Sequence, residues 1–298
     1  MKNGEMKIGL FAVGIGAASD PEVIRKVAET GERVGFSTLW AAEHVVLFNQ
    51  HDSKYPYSDS GKFPLSADAD WLDPFVTLSF AAAVTNKIRL ATGICLVPEH
   101  NPMVLAKVIA SLDKLCGGRF ALGVGVGWCA EEFAALGIPF ERRAQRTREY
   151  IDVMRKLWSP GVASHHGEFV NFDNAGSFPK PPQGPRLPVI FGGESNPALR
   201  RVAEYGSGWY GFNLDPASAK ERIGKLEQLL TASGRKLSEV ELIVSPYTKR
   251  ITTDDLKRYR DLGITEVAML ADFDGDPKTA TSRIEALAKE WVEPASKL

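Results

Sequence analysis

Trp40-Ala41-Ala42-Glu43-His44 places an imidazole beside a carboxylate at the end of an apolar run. A histidine there can donate a hydrogen bond to a developing anion or exchange a proton near neutral pH, which makes His44 and Glu43 candidate catalytic residues. The plainer alternative is that His44 caps the strand while Glu43 pairs with an Arg or Lys inside the fold. Thr92-Gly93-Ile94 puts a glycine inside a second apolar run, where glycine marks a bulge or the close approach of something flat. In Gly123-Val124-Gly125-Val126-Gly127-Trp128, alternating glycines leave one strand face bare, for a bound ring or for crowded neighbours. Phe191-Gly192-Gly193-Glu194-Ser195-Asn196-Pro197 feeds a glycine pair into a capped helix. Free N–H groups and the helix dipole make an anion site there, with Ser195 adding a hydroxyl, unless the glycines only serve a tight turn.

Gly125-Val126-Gly127-Trp128-Cys129-Ala130 also matches the dinucleotide fingerprint in form, and Gly14-Ile15-Gly16 resembles it superficially. That fingerprint needs a long helix opening directly on the glycines, and Gly137-Ile138-Pro139 follows too soon, so we reject a Rossmann reading.

These residues lie at the ends of apolar strands that alternate with amphipathic helices along the chain. The expected strands are Lys7–Val13, Thr38–Glu43, Ile88–Val97, Arg119–Val126, Pro188–Phe191, Gly208–Gly211, Glu241–Ser245 and Glu266–Leu270. The expected helices are Pro21–Val34, Asp73–Val84, Met103–Leu115, Arg142–Leu157, Pro197–Tyr205, Ala217–Ala232, Asp254–Leu262 and Pro277–Ala288. Asp20, Asn196 and Asp276 each precede a proline as N-cap candidates, and Gly35, Gly117 with Gly118, Gly206, Gly234 and Gly263 mark helix ends. Eight such units in one chain predict an α/β fold, a (β/α)8 TIM barrel forming one domain over 1–298, with its site on the loops after the strands.

Two segments exceed a minimal barrel. Residues 45–71, after the second strand, carry Tyr55-Pro56-Tyr57-Ser58, Phe63 and Trp71 on the catalytic side and form a candidate lid or substrate wall. Residues 159–187, after the fourth helix, carry His165, His166, Phe169, Phe172 and Pro179–Pro182 and are long enough to fold over the rim; a bare interdomain linker is the plainer reading. Arg142, Arg143, Arg146 and Arg148, mixed with Glu141 and Glu149, read as a solvated helix face.

With 44% hydrophobic residues among 298, the chain can bury a large core, and a net charge of −1 gives no reason to expect nucleic acid or an anionic membrane. Met1–Met6 lacks the apolar core of a signal peptide, no run reaches membrane-spanning length, and a cytoplasmic protein is the default. Cys95, Cys116 and Cys129 read as reduced and structural. No strand end offers paired histidine ligands, so no metal is expected.

Taken together, the motifs resemble the luciferase-like monooxygenases and their F420-dependent relatives. The matching stretches are Leu39–His44, Asp73-Pro74, Ile88–Gly93, Asn101-Pro102, Ser111–Asp113, Gly117–Phe120, Gly123–Trp128, Glu131–Phe133, Leu157-Trp158, Pro179–Pro181, Gly192-Gly193 and Gly208-Trp209. The resemblance implies a barrel holding a reduced flavin or deazaflavin at the strand ends. A bulge, often with a non-proline cis peptide, would back the ring near Thr92, Gly93 and Ile94. Gly125, Gly127 and Trp128 would lie along the cofactor, Gly192, Gly193 and Ser195 would hold its phosphate, and His44 would stand near the reactive ring. Tyr55, Tyr57, Phe63 and Trp71 would wall the substrate.

The resemblance favours the F420 branch, with hydride transfer to or from a small organic substrate. The alternatives are a two-component FMN-dependent monooxygenase, which adds oxygen at the flavin, and a non-catalytic flavin-binding homologue. Either catalytic reading requires a separate flavin or F420 reductase, and relatives commonly form homodimers. One departure is the short Ser245-Pro246-Tyr247 connection after the seventh strand, where luciferases carry a long mobile loop; any lid must come from residues 45–71.

Overall fold

The computed structural model describes residues 6–298; the reading of Met1–Met6 falls outside it except at Met6. Eight parallel strands close into a barrel: β1 (Lys7–Phe11), β2 (Thr38–Ala41), β3 (Arg89–Thr92), β5 (Phe120–Gly125), β8 (Val189–Gly192), β9 (Gly208–Phe212), β10 (Glu241–Ser245) and β11 (Glu266–Leu270). They pair in that order, and β1 pairs with β11 to complete the ring. The helices that cover it are α1 (Pro21–Arg33), α2 (Pro74–Ala82), α3 (Pro102–Leu115), α5 (Arg143–Trp158), α6 (Asn196–Tyr205), α7 (Pro216–Ala232), α8 (Thr253–Asp261) and α9 (Pro277–Leu287), and a short α4 (Ala130–Ala135) follows β5. The expected TIM barrel is present.

Local chemistry starts the helices where the sequence marks them. Asp20 accepts from the Glu22 and Val23 amides at 2.8 and 3.1 Å, and Asp276 from the Lys278 amide at 2.9 Å. At α6 the cap is Ser195 rather than Asn196, its Oγ accepting from the Ala198 amide at 3.3 Å. Gly206 also differs from expectation: its φ is −81°, so it ends α6 in extended rather than left-handed backbone.

The expected third strand is broken. It runs as β3, then a non-proline cis peptide between Gly93 and Ile94, then β4 (Cys95–Leu96), which still pairs with β5. Inside the barrel, Phe11, Trp40, Ala91, Ala121, Ile190, Tyr210, Ile243 and Ala268 form one layer with a residue from every strand. Trp40 and Tyr210 meet across it at 4.7 Å between ring centroids, which the small alanines permit. This packed layer is the floor of the barrel mouth. Beneath it Glu266, fully buried, accepts from Trp40 Nε1 at 2.7 Å and Thr38 Oγ1 at 2.8 Å, satisfying a carboxyl that would otherwise be costly to bury.

Residues 159–187 do not fold over the catalytic rim. They form a hairpin, β6 (Ala163–His166) with β7 (Asn171–Ala175), followed by a strap against the outer helices. Lys180 Nζ donates to the Leu157 and Gly161 carbonyls, and Gln183 Nε2 to Asp113 and to the Phe120 carbonyl at the start of β5. The segment is thereby tied to the strand-entry face. The arginine run is corrected too: Arg146 is buried and donates to the Pro139 carbonyl at 2.8 Å, while Arg143 lies over the Phe140 ring at 3.7 Å. Carbonyls left open by the turn before α5 draw these guanidiniums inward. The three cysteines are free and buried. Among the described residues, no helix is long and apolar enough to cross a membrane.

Candidate active site

A cavity of about 460 Å³ opens at the C-terminal mouth of the barrel, above the Trp40–Tyr210 layer. Residues 45–71 roof it. Both ends of this segment are pinned to the barrel: Glu132 accepts from the Val45 and Val46 amides at 2.7 and 3.2 Å, and Trp71 Nε1 donates to the Ala42 carbonyl at 2.9 Å. Its middle is held by Glu131, which accepts from the Asp52 and Ser53 amides. Burial pushes the Glu131 carboxyl up, but these hydrogen bonds outweigh it and hold the group down at about 2. The roof carries Tyr55, Tyr57, Phe63 and Trp71, all of which line the cavity. Phe63 stacks on Trp128 at 5.8 Å, and Tyr57 reaches Phe212 at 4.8 Å, so the segment spans the mouth from β2 to β9. These two strands are four places apart in the eight-strand ring.

His44 borders the cavity, its ring edge-on to Phe63 and Trp71 at 5.1 Å each. Its partner is not Glu43. His44 Nδ1 donates to Glu132 Oε2 at 2.8 Å, and Glu132 is 1% exposed. A carboxylate on Nδ1 fixes that nitrogen as the donor and leaves Nε2 to exchange a proton. Glu43 instead turns under the broken third strand, accepting from the Leu96 amide at 2.5 Å and pairing with His100 Nε2 at 2.9 Å. It holds β4 in place after the cis peptide rather than offering a free carboxylate.

Glu43, Cys95 and His100 bring potential ligand atoms within 4.8 Å of one another, a grouping invisible in the spacing. Both carboxylate oxygens are already engaged, and burial pushes the Cys95 thiol up, away from the thiolate a metal would need.

Gly93, Ile94, Trp128, Gly192 and Gly193 line the cavity. Thr92, Gly125, Gly127 and Ser195 do not. Thr92 Oγ1 is buried between the Gly123 carbonyl and amide at 2.8 and 2.9 Å, and Ser195 caps α6. The bare face of β5 serves crowded protein neighbours rather than opening a space. A Cβ on Gly125 would stand 2.2 Å from Ile94 Cδ1, one on Gly123 would overlap the Thr92 carbonyl, and one on Gly127 would meet Phe133 at 2.5 Å. The glycines let Ile94 pack against β5 where the chain crosses the cis peptide.

Several lining residues escaped the sequence reading. Phe11, Tyr210, Phe212, Tyr247 and Phe273 complete the walls, and Glu194 lies behind them. Phe212 and Tyr247 are 4.5 Å apart between centroids, and Tyr247 has φ +53°, which turns its ring inward from the short connection after β10. A phenylalanine or tyrosine in a strand is indistinguishable from core by sequence. Glu131-Glu132 was visible as a motif, but its contact with His44 spans 88 residues.

Glu99 adjoins this region with both carboxyl oxygens lacking a partner. Burial, then the charges of Glu132 and Glu43, push it up to about 9. On the neighbouring α6, Arg201 Nε is likewise buried without a partner, and burial and nearby Arg143 lower this guanidinium.

The luciferase-like monooxygenase family model matches residues 6–289. An uncharacterized protein of Mycobacterium tuberculosis is 36% identical over 264 residues, covering 88% of this chain and 91% of that one. An FMNH2-dependent dimethylsulfone monooxygenase of Pseudomonas putida is 33% identical over 220 residues, covering 72% of this chain and 55% of its own length. In structure, the coenzyme F420-dependent tetrahydromethanopterin reductase of Methanopyrus kandleri superposes with a TM-score of 0.76 at 18% identity, over 97% of this chain and 99% of that one. With the family model spanning nearly the whole barrel and its mouth, the chain belongs to the luciferase-like monooxygenase family.

Proposed function

We propose that this protein is an F420-dependent oxidoreductase that transfers hydride to or from a small organic substrate. The observation that carries the reading is the His44–Glu132 pair facing an aromatic cavity. A carboxylate-oriented imidazole in a water-poor site is suited to moving a substrate hydroxyl proton in step with hydride.

The residues present fit such a cofactor. The cavity is large enough for a ring and a small partner, and Ile94, Trp128 and the Gly192-Gly193 backbone offer a flat, mostly apolar seat. Arg201, with its orphaned Nε, lies by Arg143 and on the helix that Ser195 caps, and these groups would take the phosphate. Reduced F420, when bound there, would supply a hydride from its deazaflavin ring. His44 Nε2 accepts or returns the proton of the substrate oxygen while Glu132 stabilises the imidazolium. Tyr55, Phe63 and Trp71 exclude water, and a separate reductase renews the reductant.

A second reading, an FMN-dependent monooxygenase, draws on the dimethylsulfone monooxygenase likeness. Titration with F420 and, separately, FMN decides between them. Micromolar or tighter F420 binding with FMN far weaker is expected, and the reverse preference overturns the proposal.

We also propose a homodimer. Val76 on α2 and Val104 and Leu115 on α3 are 63–74% exposed and form an apolar outer face together with Met103 and Val108.

A further inference from the structure

Charge divides the cavity into two ends. The proposed cofactor seat lies on the β4–β8 side, where Ile94, Trp128 and the Gly192-Gly193 backbone line it and the basic pair Arg143 and Arg201 stands behind. At the other end, the connection from β11 to α9 brings Asp272 and Phe273 into the lining beside the Gly16–Ser19 turn, and a Cβ on Gly275 would lie 3.7 Å from Ala17. In the ring of strands β11 is two places from β2, which delivers His44. Asp272 is exposed, and among the described residues it has no cation within 4 Å and accepts no hydrogen bond on its carboxylate. Asp274, by contrast, accepts from Thr279 Oγ1 at 2.5 Å and from the Asp276 amide at 3.0 Å. Arg283 lines a hollow on the outer side of Asp272 without pairing with it.

Among the described residues no lysine or arginine lines the cavity. Its walls carry ten aromatic rings, of which the four phenols are held neutral by burial. Of the acids around it, Glu43 is matched by His100 and Glu194 by the charge of Arg222, whereas Glu132, buried behind His44, has no arginine or lysine partner. Aromatic faces carry negative potential and attract organic cations. An anion placed among them would give up its water without gaining a counter-charge.

We infer that the substrate is an organic cation, an amino alcohol or the matching amino ketone, and that Asp272 is the specificity-determining residue that takes its ammonium group. The apolar body fills the aromatic end of the cavity and the hydroxyl or carbonyl reaches His44. The choice of reacting group rests on the hydride-transfer reading; the choice of charge rests on the cavity alone. In the oxidising direction the carbinol C–H bond breaks and its hydride reduces the deazaflavin, the O–H bond breaks and its proton passes to His44 Nε2, and a C=O bond is left. Reduction runs the same steps backwards, and the ammonium keeps its protons throughout. Because Asp272 is exposed, its attraction also guides the cation to the mouth and weakens with salt.

The test uses the protein alone and three probes with one apolar body: 4-phenylbutylamine, 4-phenylbutanol and 4-phenylbutyrate. Their affinities for the wild type and D272N are measured by calorimetry at neutral pH, in low and in high salt. The wild type binds the amine about fivefold more tightly than the alcohol, and the carboxylate more weakly than either. In D272N the amine falls to the affinity of the alcohol, which is itself unchanged, and high salt narrows the wild-type preference in the same direction. Nuclear Overhauser contacts from the phenyl protons to carbon-13-labelled methyl groups of Ile15 and Leu270, both in the lining, place the body in this cavity. An amine bound no more tightly than the alcohol or the carboxylate, a preference that survives in D272N, or phenyl contacts away from these methyl groups overturns the inference. No readout uses the cofactor, so failure of F420 to bind refutes the hydride-transfer reading separately and leaves the selection of a cation standing.

Discussion

Glu132→Gln tests the orientation of His44 most directly. The carboxylate accepts three hydrogen bonds, from His44 Nδ1 at 2.8 Å and from the Val45 and Val46 amides at 2.7 and 3.2 Å. The amide of Gln has one oxygen, and two main-chain donors compete for it against one ring donor, so the oxygen turns to Val45 and Val46. The NH2 group then faces Nδ1, which must become the acceptor, and His44 is forced into the tautomer with hydrogen on Nε2. Charge-assisted bonds contribute about 1 kcal/mol more than neutral ones, so weakening two amide bonds and inverting a third costs roughly 2–3 kcal/mol. At about 2 °C per kcal/mol for a chain of this size, the melting temperature falls by roughly 5 °C. Nitrogen-15 NMR of histidine-labelled protein reads the tautomer, and thermal unfolding followed by circular dichroism reads the stability. An unchanged ring pattern at His44 together with an unchanged melting temperature would refute the assignment of Glu132 as its orienting group.

Three further outcomes are expected. Gly125→Ala drives a methyl into Ile94 Cδ1 and destabilises by about 1–3 kcal/mol; adding Ile94→Val, which removes Cδ1, restores most of it, and additive losses in a double-mutant cycle would contradict the packing explanation. Glu99, pushed up to about 9, holds in the folded state a proton that the unfolded chain releases near 4.5. The Glu99 contribution to stability is therefore fully present below that value and is lost as pH rises towards 9, a component of the wild-type slope that Glu99→Gln removes; parallel urea-unfolding profiles for the two proteins between pH 5 and 9 would exclude it. Val104→Glu on the apolar outer face shifts the protein from dimer to monomer in sedimentation velocity without loss of F420 affinity, and a variant that sediments like the wild type would place the interface elsewhere.

The alternation of apolar strands with capped helices is local chemistry, and it was legible because strand burial on both faces and an Asp-Pro helix start leave their mark within a few residues. The interruption at Gly93 was legible for the same reason, as was the aromatic content of the roof: Tyr55, Tyr57, Phe63 and Trp71 do line the cavity. Side-chain partnership was not. Glu43 and His44 are adjacent in the chain, just past the end of β2, yet closing the barrel brought Glu43 to His100 and His44 to Glu132, partners 57 and 88 residues away. The glycines of β5 illustrate the same division. Their alternation declares a bare face, but only the packed structure shows that Ile94 and Thr92 occupy it. Spacing along the chain sets which face a residue can reach, whereas what waits there is decided by strands and loops brought together from tens of residues away.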